Sequence, residues 1–550
     1  LNNQNKIEFH NLYSHEGKER TSVREGVDSN NQQIISNENG FMARTTFSTQ
    51  LGGSHVLKED DMKFDWVAGY AIAKRDEPDL RQATQILNDA SSDANYGNYF
   101  LPISMKNDAA SRLFIDMNEH IASFGANFEN KFILGSIKPL MKAGLYYESK
   151  NREFNARRFG YVYSNSFQKD ASIEYLPVDE VLSEQYMNTT TGIGLTELTS
   201  KPDSYDAANK NIAGYLGFNI PITSKLNVYA GARVEQNRQT LDSYDRFQQP
   251  VHLVIDTLNL FPSVNATYNF NEKNLVRVSY GKSVNRPEFR ETAPFSFYAF
   301  EDNALYSGND KLKNCYINSY DIRFESYPAE GETFSIGAFY KEFTNPIELK
   351  YVETGSGLEY SYQNAETAIN YGVEIEVKKN LENLLPALRH LAFGANATLI
   401  QSNMKFKNSV TDLERPMAGQ SPYVVNAGLY YNNEEKSGLS MSLLYHVMGK
   451  RIHVVGLPRT NSWENIPDIY EMARHQLDFT LNQKVGKHLE LKAGIKDILN
   501  NAVKYQKTVD TDVDMAYYGG NQGVQHFKAD QVTKQYKPGS YYTLGLLWNF

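Results

Sequence analysis

Residues 320–325 read Tyr-Asp-Ile-Arg-Phe-Glu, and this strict alternation decides the fold class of the chain. A period of two puts Tyr320, Ile322 and Phe324 on one face of an extended segment, with Asp321, Arg323 and Glu325 on the other. Helical periodicity would scatter both sets around a cylinder. The pattern recurs in both directions. Val373, Ile375 and Val377 oppose Glu374, Glu376 and Lys378, while Leu489, Leu491, Ala493 and Ile495 oppose Glu490, Lys492, Gly494 and Lys496. Phe64, Trp66, Ala68, Tyr70 and Ile72 share a face, as do Leu226, Val228, Ala230, Ala232 and Val234. The expectation is an all-β chain built from two-faced strands.

Many of these segments exceed the ~5–6 residues usual for soluble strands and reach the ten or so that a tilted strand needs to cross a bilayer. Their connections sort by length. Short ones fall at Lys58–Met62, Asn130–Ile137, Thr223–Lys225, Asn271–Lys273, Pro328–Glu332, Asn432–Ser437 and Gly486–His488, with a longer turn at Glu382–His390. Long ones alternate with them at Asp76–Asp108, Tyr163–Ala208, Glu288–Asn314, Gly456–Ala473 and Asn501–Gly539. Transmembrane β-barrels have this asymmetry, with short periplasmic turns and long extracellular loops. A soluble sandwich or propeller has no reason to sort its loops this way. About eighteen strands result, the first (Asn5–Ser14) running outward and the last (Ser540–Phe550) running back to the periplasm.

Composition agrees. Charged residues make up 22% of the chain and mean hydropathy is −0.54. No stretch approaches the ~18–20 apolar residues of a spanning helix, whereas a barrel keeps a polar lumen and offers lipid only every second residue. The 37 Tyr against 3 Trp suit interfacial girdles, although aromatics favour any strand. A net charge of −9 argues against nucleic acid, which calls for a basic footprint. The single cysteine, Cys315, rules out an intrachain disulfide. No secretory signal precedes the first strand, so a further segment is expected upstream of Leu1. At the other end Tyr542, Leu544, Leu546, Trp548 and Phe550 form one apolar face. Such a terminal strand resembles the signal that outer-membrane proteins present to the barrel assembly machinery, with Tyr542, Trp548 and Phe550 as its markers.

From about Asn209 onward the chain resembles the barrel of TonB-dependent receptors, particularly those of the Bacteroidetes type. The resemblance rests on GARVE (Gly231–Glu235), SYGKSVNRPEFRETAPF (Ser279–Phe295), GNDKLKN (Gly308–Asn314), FSIGAFYKEFTNPIE (Phe334–Glu348), YQNAETAINYGVEIEV (Tyr362–Val377), RPMAGQSPYVVNAGLYY (Arg415–Tyr431), GKRI (Gly449–Ile452) and GIKDILNNAVKY (Gly494–Tyr505). Each is weak alone; their order over more than half the chain is specific. The resemblance implies a 22-stranded, plugged barrel, integral to a Gram-negative outer membrane and in contact with its lipids. About four strands, the plug and the TonB box are then expected upstream, and residues 1–550 form a single incomplete barrel domain. It further implies active uptake of a scarce, bulky solute, with the TonB complex acting through that plug. The cargo stays open among iron chelates, cobalamin, oligosaccharides and peptides.

No catalytic constellation, zinc spacing or phosphate loop stands out, so neither enzymatic activity nor a cofactor is expected. Asp510, Asp512 and Asp514 have D-x-D-x-D spacing, but Met515 replaces the turn glycine and Asn521 the bidentate glutamate of a calcium loop. Calcium and a plain solvated acidic loop are the two readings. Glu288, Arg290, Phe295, Phe297 and Tyr298 mix charge with aromatics on the long loop that opens at Glu288, after a strand whose Arg286 is expected to point near the lumen, as a ligand-gripping surface does. The plainer reading is that these side chains seat the loop in the barrel mouth. Arg233, Glu235, Arg277, Arg323, Glu325, Glu374 and Glu376 are expected to line the lumen against plug and water. Two rival functions are a plugless or partner-plugged barrel, serving as a pore or as a scaffold for a surface lipoprotein, and a secreted glycan-binding β-protein.

Overall fold

A computed structural model describes residues 4–548 except 29–30, 59–60, 106–108, 303, 355–356, 406–413, 434, 436, 458–465 and 515–523. The wall begins with β1 (Asn5–Val27), β2 (Gln33–Lys58), β3 (Met62–Leu87), β4 (Ala110–Lys131), β5 (Leu140–Tyr163) and β6 (Ser204–Pro221). It continues through β7 (Leu226–Tyr244), β8 (Pro250–Asn269), β9 (Asn274–Asn285), β10 (Cys315–Ser326), β11 (Thr333–Thr344) and β12 (Thr367–Asn380). It ends with β13 (Leu391–Lys405), β14 (Tyr423–Asn433), β15 (Leu439–Met448), β16 (Arg474–Val485), β17 (Leu489–Lys496) and β18 (Tyr541–Trp548). Each strand pairs antiparallel with its neighbours in chain order. The principal sheet counts twenty strands, of which Tyr99–Phe100 and Ile193–Glu197 are short additions beside β3 and β5. The remaining eighteen form one meander, the number expected from the alternation. Among the described residues β1 pairs only with β2 and β18 only with β17, so no ladder closes the sheet.

The two faces separate as the pattern requires. Leu145, Leu258, Ile322 and Leu544 are between 51% and 77% exposed, within a continuous apolar surface along the wall. Water would penalise such a surface heavily, whereas lipid matches it. Tyr280, Tyr320, Tyr340 and Tyr371 are register partners on four successive strands of this face, the first two ring pairs 5.0 and 6.2 Å apart. On the opposite face charges pair: Arg233 with Glu235 two residues along the same strand at 2.5 Å, Arg286 with Glu235 at 2.7 Å, and between strands Arg277 with Glu325 at 3.1 Å and Arg323 with Glu376 at 2.7 Å. Toward the periplasmic end Glu376, Lys378, Asn396, Asn426, His446 and Asp478, together with Val377, Leu391 and Leu444, help line a chamber of about 1150 Å³.

Strand height is uneven. The first five strands run 22–26 residues and the last two only eight. The sequence pattern ends the first strand at Ser14 and opens a loop at Asp76, yet the ladders continue to Val27 and Leu87. Once the outward face rises above lipid it meets water, so polar residues occupy both faces and the alternation that reveals a strand vanishes. Tight turns keep the periplasmic ends together. Gly331 and Gly486 sit at φ +73° and +67°, where a side chain costs roughly 1–2 kcal/mol.

Candidate functional site

The β9–β10 connection, residues 286–314, folds into the mouth of the sheet. Its root is fixed first: Arg286 donates to Glu235 at 2.7 Å and Gln239 donates to the Pro287 carbonyl at 3.0 Å. A one-turn helix, Phe289–Thr292, follows, started by the Glu291 carboxylate accepting from the Glu288 N–H at 2.9 Å. Phe289, Ala293 and Phe295 then bury against Ile115, Phe154, Ala156, Tyr205, Ala207 and Leu241 from the inner faces of β4 to β7. Strands Ser296–Ala299 and Ala304–Ser307 form a hairpin. They join Ile347–Thr354 and Gly357–Asn364 of the β11–β12 connection in a four-stranded sheet.

Guanidinium groups hold this loop against the wall. Arg24 lies 4.8 Å over Phe300, Arg152 5.2 Å over Phe289, Arg158 5.1 Å over Phe295, and the loop's own Arg290 3.8 Å over Phe297. Arg24 also donates to the Phe300 carbonyl and the Tyr298 hydroxyl, and Arg158 donates to the Ser296 carbonyl. The aromatic rings form a file across the mouth. From the wall it runs Tyr205, Phe154, Phe295, Phe297, Tyr306, Tyr360 and Tyr351, with successive centroids 4.5–6.2 Å apart. That spacing is the range of favourable ring contacts.

Asp302 ties three connections together. It accepts from Lys534 at 2.7 Å and Tyr306 at 2.6 Å, and His453 Nε2 stands 3.9 Å away. Burial opposes ionisation of this carboxyl, but His453, Lys534 and Tyr306 outweigh it and hold it well below the usual carboxylate range. A depressed carboxylate contributes stability fully above its unfolded value of about 3.9 and loses it as pH falls through the lower folded value. Protease protection of residues 296–307 is therefore expected to persist from pH 8 down to about 4. Lys534→Met, which leaves burial less opposed, should move the acid release upward; an unchanged release profile would contradict this assignment.

Between the loop and the inner faces of β1 to β5 lies a cavity of about 540 Å³. Arg290, Phe295, Phe297 and Tyr298, four of the six residues singled out from the sequence, line it. Arg286 and Glu288 do not; they fasten the loop's root and start its helix. The wall contributes Lys18, Arg20, Arg44, Arg75 and Arg152, which sequence reading passed over. Lys18 and Arg20 lie beyond Ser14, where the pattern ends the first strand, and Arg44, Arg75 and Arg152 stand singly on three further strands, so no local cluster marks them in the sequence.

Asp510 lies on a strand of the hairpin Val503–Asp514 and Val524–Tyr536, where a loop was expected. Its carboxylate accepts from Lys528 at 2.7 Å, with His526 at 3.2 Å. Asp512 and Asp514 belong to the same strand, and their side chains lie outside those described. Among the described residues no three His, Cys, Asp or Glu side chains are grouped to hold a metal. Tyr542 and Trp548 lie exposed on β18, Trp548 stacked at 5.8 Å on His488; Phe550 lies outside the described residues.

A meander with a lipid-matched outer face, a charged inner face and loops folded into one mouth defines a large outer-membrane receptor barrel. A family model described as TonB dependent receptor-like, beta-barrel matches residues 28–498, and the chain belongs to that family. It is thus an integral protein of a Gram-negative outer membrane, of a class that works with TonB as uptake receptors and transporters, not as enzymes. Solved structures with the same fold include the siderophore receptor PiuA from Acinetobacter baumannii, at TM-score 0.58 and 11% identity over 100% of this chain and 75% of that one. Two others are the ferric yersiniabactin uptake receptor FyuA from Yersinia pestis (0.55, 10%, 99% and 78%) and the ferric-catecholate import receptor Fiu from K12 E. coli (0.52, 11%, 100% and 82%). At these identities the likeness speaks for the fold alone. Comparison with curated proteins finds no match.

Proposed function

We propose that the chain is the wall and mouth of a receptor that actively takes up a scarce, bulky solute captured beneath the 286–314 loop. The cavity carries this reading. Its volume falls within the ~300–1,000 Å³ typical of small-molecule sites, and it sets aromatic and aliphatic side chains beside charged groups, many of them held in ion pairs. In this scheme a plug fills the polar lumen and TonB draws on it to open a path. Further strands pair with the free edges of β1 and β18, completing a 22-stranded cylinder, because bare backbone edges in hydrocarbon cost several kcal/mol per group. Residues Tyr542, Trp548 and Phe550 serve earlier, as the assembly signal.

Two measurements test the scheme. Uptake of the cognate solute by whole cells should cease when TonB is deleted. Phe297→Ala combined with Arg290→Ala removes a stacked cation–ring pair worth about 0.5–2 kcal/mol, together with the cavity wall it forms. The expected result is a loss of solute affinity of roughly tenfold or more, with normal amounts of protein in the outer membrane. Unchanged affinity in that variant would refute the placement of the site.

A further inference from the structure

We infer that the outer wall carries a seat for one membrane phospholipid, whose acyl chain lies in a groove across β3 to β7 and whose head group sits at the periplasmic rim. The inference requires the wall to stand in a membrane and is independent of the solute.

The groove has a volume of about 680 Å³. Ala126, Ala143, Gly214 and Ala232 form its floor, and Phe64, Phe128, Leu145, Leu216 and Val234 rise around them. Two register rows build it. Phe64 stands opposite Phe128, and Ala143, Leu216 and Ala232 continue that row on β5, β6 and β7. The next row runs through Ala126, Leu145, Gly214 and Val234. On β4 to β7 small and bulky side chains therefore make a checkerboard, and the small ones join diagonally into a channel. These side chains point outward, because Arg233, between Ala232 and Val234, belongs to the inner face.

The surroundings decide the occupant. The groove is continuous with the lipid-matched outer face, so hydrocarbon is what reaches it. Apolar attraction alone contributes little there, since lipid tails are as apolar as leucine. Packing decides instead: lining atoms without a neighbour forfeit their contacts. A thin, flexible acyl chain fills such a dent, whereas the broad convex wall of a second copy bridges over it.

The groove also runs the way a lipid lies. Phe64 is close to Met62, where β3 leaves the periplasmic rim, while Val234 lies well inside β7, which begins at Leu226. The channel thus climbs from the rim into the bilayer over four strand spacings, roughly 19 Å, the reach of an extended acyl chain. At its foot the β4–β5 turn leaves Ile133 and Leu134 75% and 60% exposed, between the exposed Lys131 and Lys138. Apolar side chains flanked by lysines suit the head-group boundary, with stems in lipid and ammonium groups in water. The Lys131 N–H donates to the Asp61 carbonyl at 2.7 Å, tying this turn to the β2–β3 turn and fixing the foot of the groove.

Native mass spectrometry of the full receptor, released from nanodiscs of phosphatidylethanolamine and phosphatidylglycerol, tests the seat. One phospholipid per barrel is expected to survive release. Gly214→Val with Ala232→Leu fills the groove and keeps the face apolar; a Cβ at Gly214 meets the Leu145 side chain and a backbone carbonyl only at ordinary contact distance. That variant should retain roughly tenfold less lipid, the ratio that about 1.4 kcal/mol of packing supplies. Heat-modifiable gel migration reports whether it is folded. A second measurement needs no change to the groove. Trp66 is the register partner of Ala126, so phospholipid brominated along its acyl chain should quench it, read as the difference from Trp66→Phe. The quenching should persist after transfer into unlabelled detergent. Release of every lipid from the unaltered receptor, equal retention by the filled variant, rapid recovery of Trp66 fluorescence, or paired barrels in place of the lipid adduct would each overturn the inference.

Discussion

Ile322→Arg is expected to lower folding stability in a bilayer by about 2–4 kcal/mol, the cost of a cation on the lipid face near the membrane centre. Ile322 sits on the outer face of β10, 51% exposed, between register-paired Tyr320 and Phe324 of the same strand. Arginine there must leave water for hydrocarbon or drag its head group toward the interface, and the register neighbours, Val278 and Ala338, offer no carboxylate. One residue away, Arg323 faces inward and pairs with Glu376 at 2.7 Å, so the same side chain is at home there. Urea titration of the protein refolded into lipid vesicles, read by heat-modifiable migration, measures the difference. A shift below about 0.5 kcal/mol, the usual scale for neutral surface changes, would place Ile322 away from lipid.

The second large effect concerns the buried ion pair behind the mouth loop. Arg158 and Asp203 are about 10% and 7% exposed and bond at 2.9 Å. Asp203→Ala leaves the guanidinium buried without its counter-charge, which typically costs about 3–5 kcal/mol. The damage should be local, because Arg158 also holds the Ser296 carbonyl and the Phe295 ring. Hydrogen exchange of residues 289–302 is expected to accelerate strongly while the amides of β9 to β12 stay protected, as separate cooperative units allow. Replacing both partners, Arg158→Met with Asp203→Leu, should recover much of the loss. Equal acceleration in the single and double variants would mean that the pair does not hold the loop.

The fold was legible because lipid enforces alternation. Wherever a strand crosses the bilayer, as at Tyr320–Glu325 or Val373–Lys378, composition reports geometry directly. Above the bilayer that constraint lapses, and β1 and β3 lose about half their length in the reading. The motifs carrying the family resemblance acquire a physical meaning in the structure, since many are knots between loop roots. Asn364 accepts from the Lys313 N–H and donates to the Asn345 carbonyl, both at 2.8 Å, joining the β9–β10 and β11–β12 connections. Arg415 grips Glu348 with two nitrogens at 2.9 and 2.6 Å, and the Gly419 N–H reaches the Ile452 carbonyl at 2.7 Å. Gly308 must lack a side chain because a Cβ would collide with the Ala293 carbonyl. The cavity was only half legible: its loop side announced itself through clustered aromatics, whereas its wall side consists of isolated arginines drawn from strands far apart in the chain.

The mouth loop is rooted midway along the meander, yet Arg20 and Arg24 fasten it to β1 and Asp302 fastens it to Lys534 in the hairpin leading to β18. It spans the bore like a tie rod. In the closed cylinder proposed above, flattening the cross-section would stretch these contacts, so a change of girth would be felt at the cavity through one fourteen-residue span, 289–302.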